Sequence, residues 1–461
     1  MRWKIDGRRL LGRAATLVVL IALMIVLRSV MDRVPTGSPA ADATVALGFL
    51  LLSAYVAGQF FKELGLPRIT GYILLGLLIG PDALGLLSSA HIADLRLIDQ
   101  IAISLIALSA GGELKLADLR SRGRSMGGIM VTEMVAVFAV VAGGVLIFSD
   151  ALPFAVGLTA LQVGVLAMMF GSIAIANSPS VAIAVITDTR ARGPVTSTVL
   201  GVTVMKDVVV IVLFAIALSS ARSLLQGTGS FDTSFAVELS WEIGGSIIMG
   251  AVSGTLISLY LSVGSRHLVL FALAVAFLNA YIARALHLEV LLLSLTAGFF
   301  VENVSPVHGE PFVKAVERNS LPLYALFFAL AGASVHLADL AALWPYALAF
   351  VAARAVAIFA GTYAGASWTG AEPLVRRYAW LGFVSQAGVT LGMVIIAERA
   401  FPAWGAELRT MFVAMVAIHE LIGPVLLQYG LQRAGETNEG ARAPPGTGAS
   451  GKADLGPAGM V

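Results

Sequence analysis

Apolar runs of roughly 20 residues, the length that crosses a bilayer as a helix, recur along the chain with only short polar stretches between them. A backbone surrounded by hydrocarbon must satisfy every N–H and C=O within itself, so such runs are read as membrane-spanning helices. The pattern predicts fourteen of them, at residues 14–31, 43–61, 67–88, 95–116, 126–149, 160–187, 194–219, 238–263, 266–284, 287–304, 321–338, 343–368, 376–399 and 405–431. The expected fold class is therefore an all-α polytopic membrane protein. Only 13% of the 461 residues are charged, against about 25% in a soluble domain, and a water-soluble fold is excluded. There is no cysteine, which removes thiol nucleophiles, disulfide frameworks and thiolate metal sites.

The few basic residues set the expected topology, because cytoplasmic loops collect Lys and Arg. With the N-terminus inside, 21 of the 30 basic residues fall in the N-terminus, the tail and the inner loops, and 7 fall in the outer loops. Both termini are thus expected in the cytoplasm of a cell whose inner or plasma membrane holds the protein. The first helix is read as retained rather than as a signal peptide, since its apolar core is long for one. The Gly-, Pro- and Ala-rich tail, 432–461, is expected to be disordered.

The two halves carry the same words in the same order. ITGYILLGLLIGPDALG is echoed by EVLLLSLTAGFFVENVSP, IALSAGGELKLADL by FFALAGASVHLADL, EMVAVFAVVAGG by RAVAIFAGTYAG, and VMKDVVVIVL by AIHELIGPVL. Residues 1–42 then form a cytoplasmic N-terminus and an extra helix, 43–219 a first repeat, 220–265 a linker helix and 266–431 a second repeat. One linker helix inverts the second copy, an architecture that places a transported solute at the midplane between repeats.

Two polar interruptions mark that midplane. Asn177, Ser178, Pro179 and Ser180 break one apolar run, and Ser385, Gln386 and Gly388 break its counterpart. Proline removes a backbone donor, and broken helices present half-helix ends whose partial charges bind ions or need neutralising. The two basic residues outside all loops, Lys206 and Arg354, lie near the middle of apolar helices, as do Glu133, Asp207, His419 and Glu420. Asp207 is 13 residues into its helix, roughly 20 Å deep at 1.5 Å per residue. Ionisable groups are retained at such depth on ion or proton paths, and a carboxylate there can hold either a proton or a cation. Lys206 points about 100° away from Asp207 around the helix, so its expected partner is Glu133, with Arg354 competing for the same carboxylate. Glu133 and Arg354 are read as charge compensation for the half-helix ends, and His419, Glu420 and Gln386 as a possible secondary group. No phosphate-binding loop, dinucleotide fingerprint, metal-spaced His and carboxylate cluster or catalytic triad occurs, so ATP-driven transport and enzymatic chemistry are unsupported, no cofactor is expected, and no basic surface for nucleic acid stands out.

LGLPRITGYILLGLLIGPDALG, SAGGELKLADLR, NSPSVAIAVITD, GVTVMKDVVVIVLFA, FFALAGASVHL and the closing HELIGPVLLQYGLQRAGE together resemble the monovalent cation/proton antiporter superfamily, the sodium/proton exchangers and their bacterial Kef- and Nap-type relatives, over about residues 43–436. The resemblance implies a homodimer in which a core bearing two crossed broken helices moves as an elevator. It implies that Asp207 binds the cation and the proton, that Asn177, Ser178 and Thr203 supply neutral oxygen ligands, and that Arg354 is the basic residue near the crossing. Lys206 departs from the family, whose members usually carry Asp there when exchange is electrogenic, or Asn or Gln when it is electroneutral. The expectation is an antiporter of Na⁺ or K⁺ against H⁺. The alternatives are a transporter of the same fold with a small-anion site at Lys206 and Arg354, and a non-transporting sensor or scaffold locked by Lys206.

Overall fold

The structure is a computed structural model that describes residues 7–31, 39–153, 155–226, 233–263, 267–306, 309–319, 321–335, 337–386 and 388–437. The first half comprises α1 (Gly7–Met31), α2 (Pro39–Glu63), α3 (Arg68–Ile79), α4 (Ser89–Asp94), α5 (Arg96–Glu113), α6 (Leu116–Ile147), α7 (Ala160–Ala174), α8 (Pro179–Thr189) and α9 (Pro194–Gln226). After α10 (Thr233–Val263) come α11 (Leu268–Leu286), α12 (Val290–Asn303), α13 (Glu310–Asn319), α14 (Leu321–Ala333), α15 (Leu337–Trp368), α16 (Pro373–Tyr378), α17 (Gly388–Ala400) and α18 (Gly405–Ala434). Among the described residues there is no strand, and nine helical spans are long and apolar enough to cross a membrane. Four shorter apolar helices, α3, part of α5, α12 and α14, accompany them.

Contacts sort these helices into two bundles. One holds α6–α9 and α15–α18, the other α1–α5 and α10–α14. Inside the second bundle the close approaches are reciprocal. A Cβ on Gly76 would lie 2.0 Å from the Ala329 carbonyl oxygen, and one on Gly332 2.1 Å from that of Ile73, so α3 and α14 meet backbone to backbone. In the same way Gly111 faces the Leu295 carbonyl and Gly298 that of Leu108, where α5 meets α12. Small residues let helices approach this closely in a membrane. In the first bundle α6 and α15 cross at Gly361 and Gly365, which abut the α6 backbone at Glu133 and Gly128.

Several elements differ in extent from the sequence expectation. The run at 67–88 is helical only to Ile79, and 80–88 turns back, with Gly85 in the left-handed region. The run at 376–399 is instead α16, a 3-10 turn (Ala379–Gly382), an interruption and α17. The start of the tail is also corrected. Helix α18 runs on to Ala434, ends on Gly435 at a φ of 74°, and delivers Glu436 and Thr437 into buried positions. Glu436 accepts hydrogen bonds from the backbone N–H groups of Val195 and Thr196 at 2.7 Å, so a carboxylate from the chain's far end caps α9. The remainder of that expected disordered tail lies outside the described residues.

Candidate functional site

From Met169 to Ile186, across the end of α7, the interruption and most of α8, every residue is buried. Helix α7 starts on a capping box, in which Thr159 and Gln162 each bind the other's backbone. It stops at Ala174, and α8 begins with Pro179 in its first turn, where a missing N–H costs nothing. Ser178 caps α8 by accepting from the Val181 N–H at 3.3 Å, and its hydroxyl lies 3.0 Å from that of Ser180. Its side chain, expected from the resemblance to supply a neutral oxygen ligand, also serves as this cap. The Ser178 backbone N–H donates to the Ser385 carbonyl at 2.9 Å, so the two interruptions touch directly. Gly423 of α18 lets Ser385 approach, since a Cβ there would sit 2.1 Å from its hydroxyl oxygen.

Arg354 reaches this crossing from α15. It is fully buried and donates to the carbonyls of Ala174, Ala176 and Val384, each at 2.7 Å, and to that of Phe383 at 3.4 Å. These carbonyls are the orphan acceptors at the ends of α7 and of the 3-10 turn, where each half-helix carries partial negative charge. One guanidinium therefore satisfies both ends. The expected competition between Arg354 and Lys206 for Glu133 is resolved by this geometry. Lys206 takes the carboxylate, with Nζ 2.6 Å from Oε2 and both side chains at 0% exposure, while Arg354 turns to carbonyls and meets Glu133 only as a neighbouring charge.

Asp207 is placed differently. It is 8% exposed, and among the described residues no group donates a hydrogen bond to its carboxylate. The charges that act on it are those of Glu289 and Lys206. One turn earlier on the same face of α9, the Thr203 hydroxyl accepts from the Asn177 side-chain amide at 3.2 Å, leaving the buried Asn177 Oδ1 without a hydrogen-bond partner. The Thr203 hydroxyl, with the free Asn177 amide oxygen beside it, thus lies on the face of α9 that carries Asp207 one turn later. Hard oxygen donors of this kind suit alkali cations. Among the described residues no group of three His, Cys, Asp or Glu could hold a metal ion.

The secondary residues gather around the second interruption. His419 is buried with Nε2 3.4 Å from Arg354, and Gln386 donates to the Ala174 carbonyl at 3.4 Å. Glu420, 6% exposed on α18, enters none of these bonds. Sequence reasoning passed over Glu289. It caps α12 by accepting from the Leu292 N–H at 2.5 Å, and its charge acts on Asp207 from the other bundle. An acidic residue just before an apolar run is an ordinary helix start, so nothing local distinguished it.

The chain matches the profile described as "Sodium/hydrogen exchanger, transmembrane" over residues 47–429. It is 25% identical over 394 residues to the Na(+)/H(+)-K(+) antiporter GerN of Bacillus cereus, covering 83% of this chain and 95% of that protein. It is 22% identical over 392 residues to the ammonium/H(+) antiporter subunit AmhT of Alkalihalophilus pseudofirmus, covering 83% and 92%. The fold is similar to that of the sodium proton antiporter MjNhaP1 of Methanocaldococcus jannaschii, with a TM-score of 0.60, 17% identity, and coverage of 88% of this chain and 99% of that one.

Proposed function

From the chain's membership in the transmembrane sodium/hydrogen exchanger family we propose a specific exchange cycle, in which Asp207 alternately binds a monovalent cation, Na⁺ or K⁺, and a proton. At the coarser level the chain is a multi-pass membrane cation/proton antiporter, a transporter and not an enzyme. The observation that carries the finer reading is the Asp207 carboxylate itself, buried, without a hydrogen-bond donor among the described residues, and one helical turn from Thr203, which holds Asn177 and leaves its Oδ1 free. Such a carboxylate is neutralised by whichever cation arrives, and a proton and a metal ion cannot occupy it together. Asn177 and Thr203 complete the cation's shell, while Ser178 shapes it as the cap of α8. Glu133 and Arg354 hold the charge of the surrounding scaffold, and His419, Glu420 and Gln386 support the second interruption.

In this reading the bundle of α6–α9 and α15–α18 carries the site as an elevator past the other bundle, in a homodimer with both termini in the cytoplasm. Residues 43–219 and 266–431 are inverted repeats around the linker 220–265, which follows 1–42. The exchange of partners α3–α14 and α5–α12, with paired glycines on each side, supports that symmetry. The basic-residue bias supports the orientation.

The anion reading loses support because neither internal cation is free: Lys206 is bound to Glu133, and Arg354 to four carbonyls. The locked-scaffold reading loses support because Lys206 pairs with Glu133 and leaves Asp207 open. The test is proton flux in reconstituted vesicles on addition of Na⁺, K⁺ or NH₄⁺ in turn. Flux driven by at least one of them is expected, and flux with none would refute the reading.

A further inference from the structure

The two bundles are joined by polar contacts at one end of the molecule. Asp188, in the last turn of α8, pairs with Arg68, the first residue of α3, at 3.1 Å, and its second oxygen accepts from the Arg68 backbone N–H at 3.4 Å. The side chains are only 15% and 19% exposed, which shields the pair partly from solvent screening. Close by, the Gln428 side chain of α18 donates to the Gly65 carbonyl in the turn before α3, at 3.2 Å. This is the end where α1 begins and α18 finishes, since Arg13 of α1 pairs with Glu63 at 3.0 Å just before that turn.

Each partner is anchored in a different body. Helix α3 cannot slide against α14, because Gly76 and Gly332 bring the backbones into contact on both sides. Helix α8 cannot leave the site, because its capping residue Ser178 donates to Ser385 at the crossing. A displacement of the site-bearing bundle that carries the end of α8 away from α3 separates Asp188 from Arg68.

We propose that the Arg68–Asp188 pair is a latch that holds the two bundles together at the end where α1 begins and α18 finishes, and that it must open in every transport cycle. The inference rests on the moving-bundle reading above. The protein has no cysteine, so introduced thiols report without background. Arg68→Cys/Asp188→Cys would be joined by a short bifunctional thiosulfonate linker in reconstituted vesicles. A matched control is Arg122→Cys/Glu372→Cys, which replaces a 2.7 Å ion pair between α6 and the turn before α16, both in the site-bearing bundle. Cation-dependent proton flux is expected to fall about tenfold or more on linking residues 68 and 188, to return on reduction, and to persist when 122 and 372 are linked. Undiminished flux with the 68–188 link complete would overturn the latch while leaving antiport standing. Absent flux in the reduced protein and its parent would instead strike at the function itself. Should the linker fail to bridge, charge reversal decides. Arg68→Asp alone should change the flux severalfold at unchanged protein yield and melting temperature, and Arg68→Asp/Asp188→Arg should restore it. Equal flux in all three proteins would also overturn the proposal.

Discussion

The Lys206 ammonium lies 2.6 Å from a Glu133 carboxylate oxygen, and both side chains are wholly buried. The pair joins α9 to α6 and turns the lysine away from its sequence neighbour Asp207. A positive charge beside a cation site would repel the cation, and Glu133 offsets that charge within hydrogen-bonding distance. Removing one partner strands the other in a medium that solvates it poorly. Glu133→Gln is expected to destabilise the detergent-solubilised protein by about 3 to 5 kcal/mol, read as a lowered melting temperature. Glu133→Gln/Lys206→Met should recover most of that loss, because a buried pair replaced by neutral groups of similar volume is often tolerated.

Coupling follows from the same pair. If Lys206, paired with Glu133, keeps its proton throughout the cycle, only Asp207 trades a proton for a cation. One H⁺ then moves per ion and no net charge crosses the membrane. Exchange should be insensitive to an imposed potential, and Lys206→Asn should remain insensitive while binding the cation more tightly. A rate that depends strongly on voltage in the parent and loses that dependence in Lys206→Asn would identify the lysine as a second proton carrier.

Arg354 makes a separate prediction. Its four carbonyl partners belong to the two helix interruptions, so Arg354→Ala leaves buried acceptors orphaned at about 1 to 3 kcal/mol each. The variant is expected to yield little folded protein by size-exclusion chromatography. Arg354→Lys keeps the charge but not the planar fork, and it should fold with a melting temperature between the two.

The central charged residues were legible in the sequence because an ionisable side chain in the middle of an apolar run is rare and costly. Asp207, Lys206, Glu133 and Arg354 stand out for that reason, and the predicted Lys206–Glu133 pairing is found. What Arg354 binds was not legible, since backbone carbonyls leave no residue-specific mark. Glu289, Glu436 and the Arg68–Asp188 pair escaped for a different reason. They sit at helix ends, where charged residues are ordinary, and only the packing of distant segments gives them partners. The helix limits near residues 80 and 383 were misjudged because hydropathy continues through both turns, the first through the exposed Ala83 and Leu84 and the second through the buried segment 381–386.

The glycine crossings predict stability. Gly76→Ala places a Cβ 2.0 Å from the Ala329 carbonyl oxygen, and Gly111→Ala places one 2.0 Å from that of Leu295. Either should lower the melting temperature markedly. Gly127→Ala, which meets nothing within 4 Å on α6, should not lower it, since alanine is the better helix former. Equal effects in all three would remove the support that close backbone approach lends to the two-bundle arrangement.

Competition at Asp207 sets how proton and cation concentrations trade off. If one proton excludes one cation, the apparent KM for the cation should rise about tenfold for each unit of acidification once the protonated form predominates, at constant maximal rate. A slope near two would require a second titrating group, with Lys206 and Glu289, whose charges act on Asp207, as the candidates.

The most direct measurement is cation-dependent proton flux by Asp207→Asn in reconstituted vesicles, compared with the parent at matched protein content and melting temperature. The substitution keeps the shape of the side chain and removes the charge that cation and proton exchange. The account predicts no cation-driven flux above that of empty vesicles, in a protein that still folds. Flux equal to the parent's would contradict it.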